Sequence, residues 1–425
     1  MTDTIFALSS GAAPAAIAVL RISGPAASAA LKILAGRVPA GRRASQVTLR
    51  GSDGEILDRA LALWLPGPGT ATGEDTAELH CHGGRAVIAV VEAALEALPD
   101  LRRASPGEFT RRAFSNGRID LAEAEGLAEL LAAETELQRR SALAMAGGAF
   151  SRQVEHWRDR SLGLGAMVEV VLDFAEEDDV TALPPDFSIA VEVLRAEIAD
   201  WLLRPRAEAL REGFRVVLAG PPNSGKSTLF NALVESEAAI TTPIAGTTRD
   251  LLTRPVAIAG VPFVFVDTAG LREPTGDVVE AIGIERARNA VDQADLVLWL
   301  GEEGQGPASA WELEAQIDLE DHNAKAFARH RISAVTGEGL GPLREDLVVT
   351  ARAALPQPGE AALNERQHRL LTEAESMLSA AVQLTDPLLI AEHLRLARVA
   401  FDALVGRATT EDMLDALFGR FCIGK

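Results

Sequence analysis

The run "GPPNSGKST" at residues 220–228 has the residue types and spacing of a phosphate cradle, G-x-x-x-x-G-K-[ST]. It follows the apolar run "FRVVLAG" and precedes a helix-forming stretch. In that setting the backbone N–H groups of Asn223, Ser224 and Gly225, and those of the helix start through Thr228, face phosphate oxygens. Lys226 would neutralise the β- and γ-phosphates and Ser227 would ligate Mg²⁺. Two later segments offer matching chemistry. "TTPIAGTTRD" at 241–250 supplies Thr248, which can close on Mg²⁺ and the γ-phosphate as a switch. "FVFVDTAG" at 263–270 ends an apolar strand on Asp267, which can hold Mg²⁺ through water. Thr268 and Ala269 continue that turn, and the Gly270 N–H can meet the γ-phosphate. Three phosphate-facing segments in this order point to a nucleotide hydrolase.

The base is less plainly addressed. "ISAVTGEG" at 332–339 offers the backbone of Ser333 and Ala334. The Asn-Lys-x-Asp pattern that usually reads guanine survives only as Asp318 in "AQID" at 315–318. One carboxylate accepting from both guanine N1–H and N2–H₂ still selects guanine, because adenine leaves it unpaired. Loss of the Asn and Lys should weaken binding by roughly 1–3 kcal/mol.

These residues need a sheet to position them. Between about 213 and 345 the texture is "FRVVLAG", "RPVAIAG", "PFVFVDTAG", "ADLVLWLG": short β-branched runs ending in Gly or Asp, separated by helical stretches. That is an open α/β sheet with its site at the strand ends. The stretch from Leu300 to Ile332 is short for a full strand–helix–strand turn. Before it, residues 1–118 mix strand-like runs (Ile17 to Ile22, Ala60 to Leu65, Ala77 to His82) with turn signals and read as a small α+β domain. "SPGEF" at 105–109 has the form of a capping box between Ser105 and Glu108, and Asp120 with Glu123 starts a second helix in the same way. Residues 119–212 and 346–425 have helical texture, so the economical arrangement is a helical domain in two pieces with the α/β domain, 213–345, inserted. The acidic run "DFAEEDDVTALPPDF" at 173–187 reads as a solvated loop.

The chain has 425 residues, 48% of them hydrophobic, and a formal net charge of -20. Room for several cores follows from the first two numbers. The third argues against a surface that grips nucleic acid throughout, since phosphate binding needs clustered Lys and Arg. Two cysteines far apart, Cys81 and Cys422, argue against a disulfide framework and fit a reducing cytoplasm. The N-terminal apolar stretch lacks a basic leader and is broken by Gly11 and Pro14, so neither signal peptide nor membrane span is expected. His80 and His82 would share a strand face, but two ligands do not close a zinc site.

Together, "GPPNSGKST", "AGTTRD", "DTAGLRE", "IGIERA" and the terminal "FCIGK", with "LRISG", "TGEDTAELHCHGG" and "SPGEFTRRAFSNGRIDLAEAE" further upstream, resemble the MnmE (TrmE) family of tRNA-uridine-modification GTPases, in the TrmE-Era-EngA-like GTPase superfamily. The resemblance covers essentially the whole chain. It implies an N-terminal domain that dimerises and binds a tetrahydrofolate (the 5-formyl or methylene derivative), a discontinuous helical domain, and an inserted Ras-like P-loop G domain. It implies a homodimer working with the flavoprotein MnmG (GidA) to modify carbon 5 of the wobble uridine of tRNAs, with tRNA held through the complex.

It further implies a GTPase activated by K⁺-dependent G-domain dimerisation. Leu271 stands where a Ras-like protein has its water-positioning glutamine. Glu280 in "VVEAIGIE" matches the family's glutamate and would act on the attacking water. Asn223 matches the potassium-ligating asparagine, with backbone carbonyls of Thr242 and Ile244 and the adjacent Thr247 closing over the ion. The resemblance maps folate contacts to Arg21, Glu78, Arg118 and, at the end of the chain, Lys425. Cys422 is read as a buried or partly buried structural cysteine rather than a nucleophile. Two other functions compete: a ribosome-assembly or signalling switch, for which a basic RNA-binding module is missing, and a folate-binding protein with a weakened G domain.

Overall fold

A computed structural model describes residues 3–173, 182–235, 253–268, 288–408, 410–419 and 421–424. The chain divides into two compact units: residues 1–128 with 402–425, and residues 129–401.

The first unit is built on a six-stranded sheet of order β3-β4-β5-β2-β1-β6. Its strands are β1 (Thr4–Leu8), β2 (Ile17–Ser23), β3 (Ser45–Arg50), β4 (Ile56–Leu65), β5 (Thr76–His82) and β6 (Leu101–Arg103). Alternation places Leu20 and Ile22 of β2 and Ala77, Leu79 and Cys81 of β5 on one buried face. Helices α1 (Ala27–Ala35) and α2 (Arg85–Glu96) cover that face with Leu31, Leu34, Val91 and Leu95.

Helix α3 (Glu108–Ser115) carries Arg112, whose side chain is fully buried. Its guanidinium donates to the Asp3 carbonyl and carboxylate, to Glu74 and to Glu108. A buried charge is tolerated only with such pairing. Half of the box expected at "SPGEF" forms. Glu108 Oε2 accepts from the Ser105 N–H at 2.9 Å, but the Glu108 N–H goes to the Ser105 carbonyl rather than its hydroxyl. The reason is tertiary: the residue before α3 is Gly107 at φ 67°, and a Cβ there would lie 2.1 Å from the Phe418 carbonyl oxygen. At Asp120 and Glu123 both bonds of the box are present, 2.8 and 2.9 Å, opening α4 (Leu121–Ala132). Leu121 and Ala124 pack with Leu414, Phe418 and Phe421 of the C-terminal segment, which includes a helix at Glu411–Phe418.

The second unit contains a parallel sheet of order β12-β11-β10-β7-β9-β8, with β8 alone antiparallel. Its strands are β7 (Phe214–Ala219), β8 (Thr253–Ile258), β9 (Val261–Asp267), β10 (Leu296–Trp299), β11 (Trp311–Glu314) and β12 (His330–Arg331). β8 and β9 join through Ala259 and Gly260, both at positive φ, as a tight two-residue hairpin requires.

Between β10 and β11 there is no helix. Residues 300–310 instead fold back over Trp299, and a Cβ at Gly301 or Gly306 would meet the indole at 2.5 or 2.6 Å. Helices α5 (Glu136–Ala146), α8 (Ala207–Glu212), α9 (Lys226–Glu235) and α10 (Leu340–Ala354) complete that core with Leu137, Leu210, Leu229, Leu343 and Leu347. Long helices α6 (Ala149–Asp173), α7 (Phe187–Leu202), α11 (Glu365–Gln383) and α12 (Pro387–Leu404) form the rest. There Trp157 packs against Phe150, Trp201 and Phe401 with ring centroids 5.7–6.5 Å apart.

Candidate nucleotide site

The site sits at the carboxyl edge of the parallel sheet. β7 and β9 are hydrogen-bonded neighbours, with Leu218 in register with Asp267. Parallel pairing therefore brings the ends of both strands out side by side. After β7 the chain turns through Gly220 (φ 151°), Asn223 (φ 62°) and Gly225 (φ 87°) into α9. Gly220 is needed for close approach as well as for its φ. A Cβ there would stand 3.1 Å from the Gly301 nitrogen and the Ser224 hydroxyl. These residues wall a cavity of about 1060 Å³ that also meets Thr268, Arg288, Trp299 and Gln316.

Lys226 is buried, 4% exposed, at the first turn of α9. Its Nζ donates to the Pro221 carbonyl at 2.5 Å and lies 3.4 Å from the Ser224 hydroxyl. The ammonium is thus held over the loop it would share with a polyphosphate. Ser227 Oγ donates to Asp267 Oδ2 at 2.6 Å. A hydroxyl and a carboxylate in contact are a hard-oxygen donor set that fits Mg²⁺. Thr268 Oγ1 donates to the Leu218 carbonyl at 2.8 Å, fixing the turn after Asp267 to the neighbouring strand.

A smaller cavity of about 120 Å³ opens beside the first, lined by Thr228, Leu229, Ala315, Gln316, Asp318 and Ala334 among others. Asp318, from the loop after β11, and Ala334, from the loop after β12, thus share one pocket with the start of α9. The Ser333 hydroxyl accepts from the Thr336 N–H, and the Ser333 N–H donates to the Glu338 carbonyl, closing that second loop. The loop bearing Asp318 is pinned from below. Glu314, buried at the end of β11, holds His322 at 2.9 Å, Arg331 at 3.0 Å and the Lys325 N–H at 3.3 Å. Lys325 itself pairs with Glu312 at 2.6 Å and donates to the Trp299 carbonyl.

Several residues escaped the sequence reading. Gln316, Trp299, Glu302, Gln305 and Arg288 all line the larger cavity. Gln316 occupies the place where the usual guanine reader has its Lys, which is the one signal that could have found it. Thr242, Ile244, Thr247, Thr248, Ala269, Gly270, Glu280 and Lys425 lie outside the described residues.

In the first unit Arg21 and Glu78 face each other across β2 and β5, with Arg21 Nε and Nη2 both 3.0 Å from Glu78 Oε1. His80 Nε2 lies 3.3 Å from the other carboxylate oxygen, and the Arg21 guanidinium lies 5.9 Å from the Phe109 ring centroid. Arg118 is exposed beyond α3, its stem against Gly73. Among the described residues no hydrogen bond or ion pair joins it to Arg21 or Glu78. His82 pairs with Asp58 instead of sharing a ligand with His80. Cys81 is buried in the core, where burial pushes its thiol up to about 12, and Cys422 is exposed. Among the described residues no group of three or more His, Cys, Asp or Glu is disposed to hold a metal ion, and no helix is long and apolar enough to cross a membrane.

The parallel sheet, the glycine-bearing loop at its carboxyl edge and the Ser227–Asp267 contact define a Ras-like P-loop domain. Residues 4–118 match the family model described as the GTP-binding protein TrmE N-terminus, and residues 121–422 match that of the MnmE helical domain. The chain is 62% identical over 423 residues to the tRNA modification GTPase MnmE of Erythrobacter litoralis (strain HTCC2594). It is 63% identical over 437 residues to the protein of the same description from Novosphingobium aromaticivorans, and each match covers 100% of both chains. Among solved structures, the G domain of the T. maritima FeoB iron transporter covers 32% of this chain and 98% of its own, at 24% identity and a TM-score of 0.21. The chain belongs to the MnmE (TrmE) family of tRNA modification GTPases.

His322 is the titratable side chain that ties the loop bearing Asp318 to Glu314. Its Nδ1 lies 2.8 Å from the Leu319 carbonyl and its Nε2 2.9 Å from Glu314, so only the imidazolium can donate to both. These two bonds, the carbonyl first, raise its pKa above the ordinary 6.5, against desolvation and the smaller effect of the Arg331 charge. A raised folded value means the tether is complete below the unfolded pKa and is lost as pH rises through the folded one. Glu314 is shifted the other way. Burial raises its pKa, but its bonds to the Lys325 N–H and His322 outweigh that, so its contribution fails only as pH falls through a value below 4.5. GDP affinity, titrated from about pH 6 to about pH 8.5, should fall about two- to fivefold in the native chain. His322→Asn should flatten that profile, and an unchanged slope in the variant would remove His322 as its cause.

Proposed function

We propose that the chain is a GTP hydrolase of tRNA modification whose phosphate site is Asn223 to Thr228 with Asp267 and Thr268, and whose base site is Asp318 with the backbone of Ser333 and Ala334. The Ser227–Asp267 contact, 2.6 Å at the edge of a parallel sheet and one residue from the buried Lys226, carries this reading. Bound Mg²⁺ would supply charge neutralisation for the phosphates, with Ser227 and Thr248 as ligands and Asp267 behind them. Lys226 binds and orients the β- and γ-phosphates. Glu280 orients the attacking water. Asn223 is the described member of a K⁺ site completed by Thr242, Ile244 and Thr247. A monovalent cation there takes the place of a finger arginine, a charge worth ~10³–10⁵ in rate.

The finer reading is a K⁺-activated homodimer, cytoplasmic, that works with the flavoprotein MnmG on carbon 5 of the tRNA wobble uridine. We assign 1–118, 119–212 with 346–425, and 213–345 as the folate, helical and G domains. Phosphate release from GTP and ATP, in KCl and NaCl at equal ionic strength and across protein concentration, tests the hydrolase. GTP hydrolysis should rise with protein concentration in KCl alone, and Lys226→Ala should lower it at least about 100-fold. Equal rates with both nucleotides and both salts would contradict the reading.

The one-carbon donor is assigned to the face where Arg21 meets Glu78, with Arg118 and Lys425 as further contacts. A carboxylate suits the paired donors of a pterin edge, and cations suit a glutamate tail. Glu78→Gln should weaken 5-formyl-tetrahydrofolate binding by about tenfold or more in a calorimetric titration. Native affinity in that variant would move the folate elsewhere.

A further inference from the structure

We propose that Gln316 is a positioning residue for guanine, its amide tying the loop that carries Asp318 to the phosphate loop. The inference rests on the GTP reading above and adds a residue to it. Gln316 Nε2 donates to the Asn223 carbonyl at 3.3 Å, a bond between residues 93 apart in sequence. Both ends of this bond sit in left-handed backbone, Gln316 at φ 61° and Asn223 at φ 62°. Asn adopts that conformation with some ease, while Gln enters it rarely. The unusual turn at Gln316 directs its side chain across the phosphate loop. A Cβ on Gly225 would meet Gln316 Cγ at 3.3 Å and Cδ and Nε2 at 3.5 Å, so the glycine leaves room for it.

The placement also matters. Gln316 is the one side chain of its loop that lines both cavities, the larger around Lys226 and the smaller around Asp318. It stands two residues before Asp318, so holding its amide fixes the distance of that carboxylate from the phosphates. Guanine offers Asp318 donors at N1 and N2, where adenine has an acceptor and a C–H, so a loosened Asp318 costs guanine binding and leaves adenine binding unchanged. A Lys at 316 would present an ammonium to the same carbonyl. The Gln thus replaces the donor of the usual guanine reader, and only its missing Asn stays uncompensated.

The test uses the full chain and the fluorescent mant forms of GDP and ADP. Gln316→Ala removes the donor. Gln316→Glu keeps the shape but sets a carboxylate against the Asn223 carbonyl, and Gln316→Lys restores a donor. We expect the ratio of GDP to ADP affinity to fall about five- to tenfold in the Ala variant and at least as far in the Glu variant, the loss of one hydrogen bond. It should stay within about twofold of native in the Lys variant, and ADP affinity should hardly move in any of them. A native chain that prefers GDP, with Ala and Glu variants that keep the same ratio, would overturn the role of Gln316 alone. A native chain with no preference for GDP would overturn the guanine reading with it.

Discussion

The nucleotide site proposed for this chain depends on one geometrical constraint: β7 and β9 are parallel neighbours in register. A polyphosphate needs backbone donors, a lysine and a hydrated cation brought to one place. No short segment supplies all three. The register of Leu218 with Asp267 sets the carboxylate beside the first turn of α9, where Ser227 meets it at 2.6 Å. The same edge receives the loops after β11 and β12, because parallel strands all deliver their carboxyl ends to one side. Lys226, buried against its own loop, is tolerable because its charge has carbonyl and hydroxyl partners there.

The first unit solves a different problem with a mostly antiparallel sheet. Its face carries Arg21 and Glu78 as a cross-strand pair, which keeps both charges paired at the edge of the core. Beneath α3, Arg112 holds three carboxylates, those of Asp3, Glu74 and Glu108. Removing such a partner leaves buried charge uncompensated, so this network specifies where the N-terminal strand, the turn at Glu74 and α3 must meet.

What the sequence made legible was local. Strands ending in Gly or Asp, the glycine spacing at 220–227 and the reciprocal pair Asp120–Glu123 are each decided within a few residues, and they appear where expected. The box at Ser105 was half legible, because the αL turn at Gly107 answers to the distant Phe418 carbonyl. The shortness of the stretch after Leu300 was visible, but its remedy was not: glycines packed on Trp299 and a lysine buried beside Glu312 are tertiary solutions. Gln316 was passed over for the same reason. Its place at the Lys position of the guanine reader is visible in "AQID", but its partner, a carbonyl 93 residues away, is not.

The measurement that bears most directly on the site is a calorimetric titration of a non-hydrolysable GTP analogue, with Mg²⁺ and with EDTA, into the native chain and into Ser227→Ala. If Ser227 and Asp267 form one Mg²⁺-nucleotide site, Mg²⁺ should tighten binding by about tenfold or more in the native chain and by little in the variant. Equal affinity with and without Mg²⁺ in the native chain would contradict it, and the contact between Ser227 and Asp267 would then be only a bond that closes the fold.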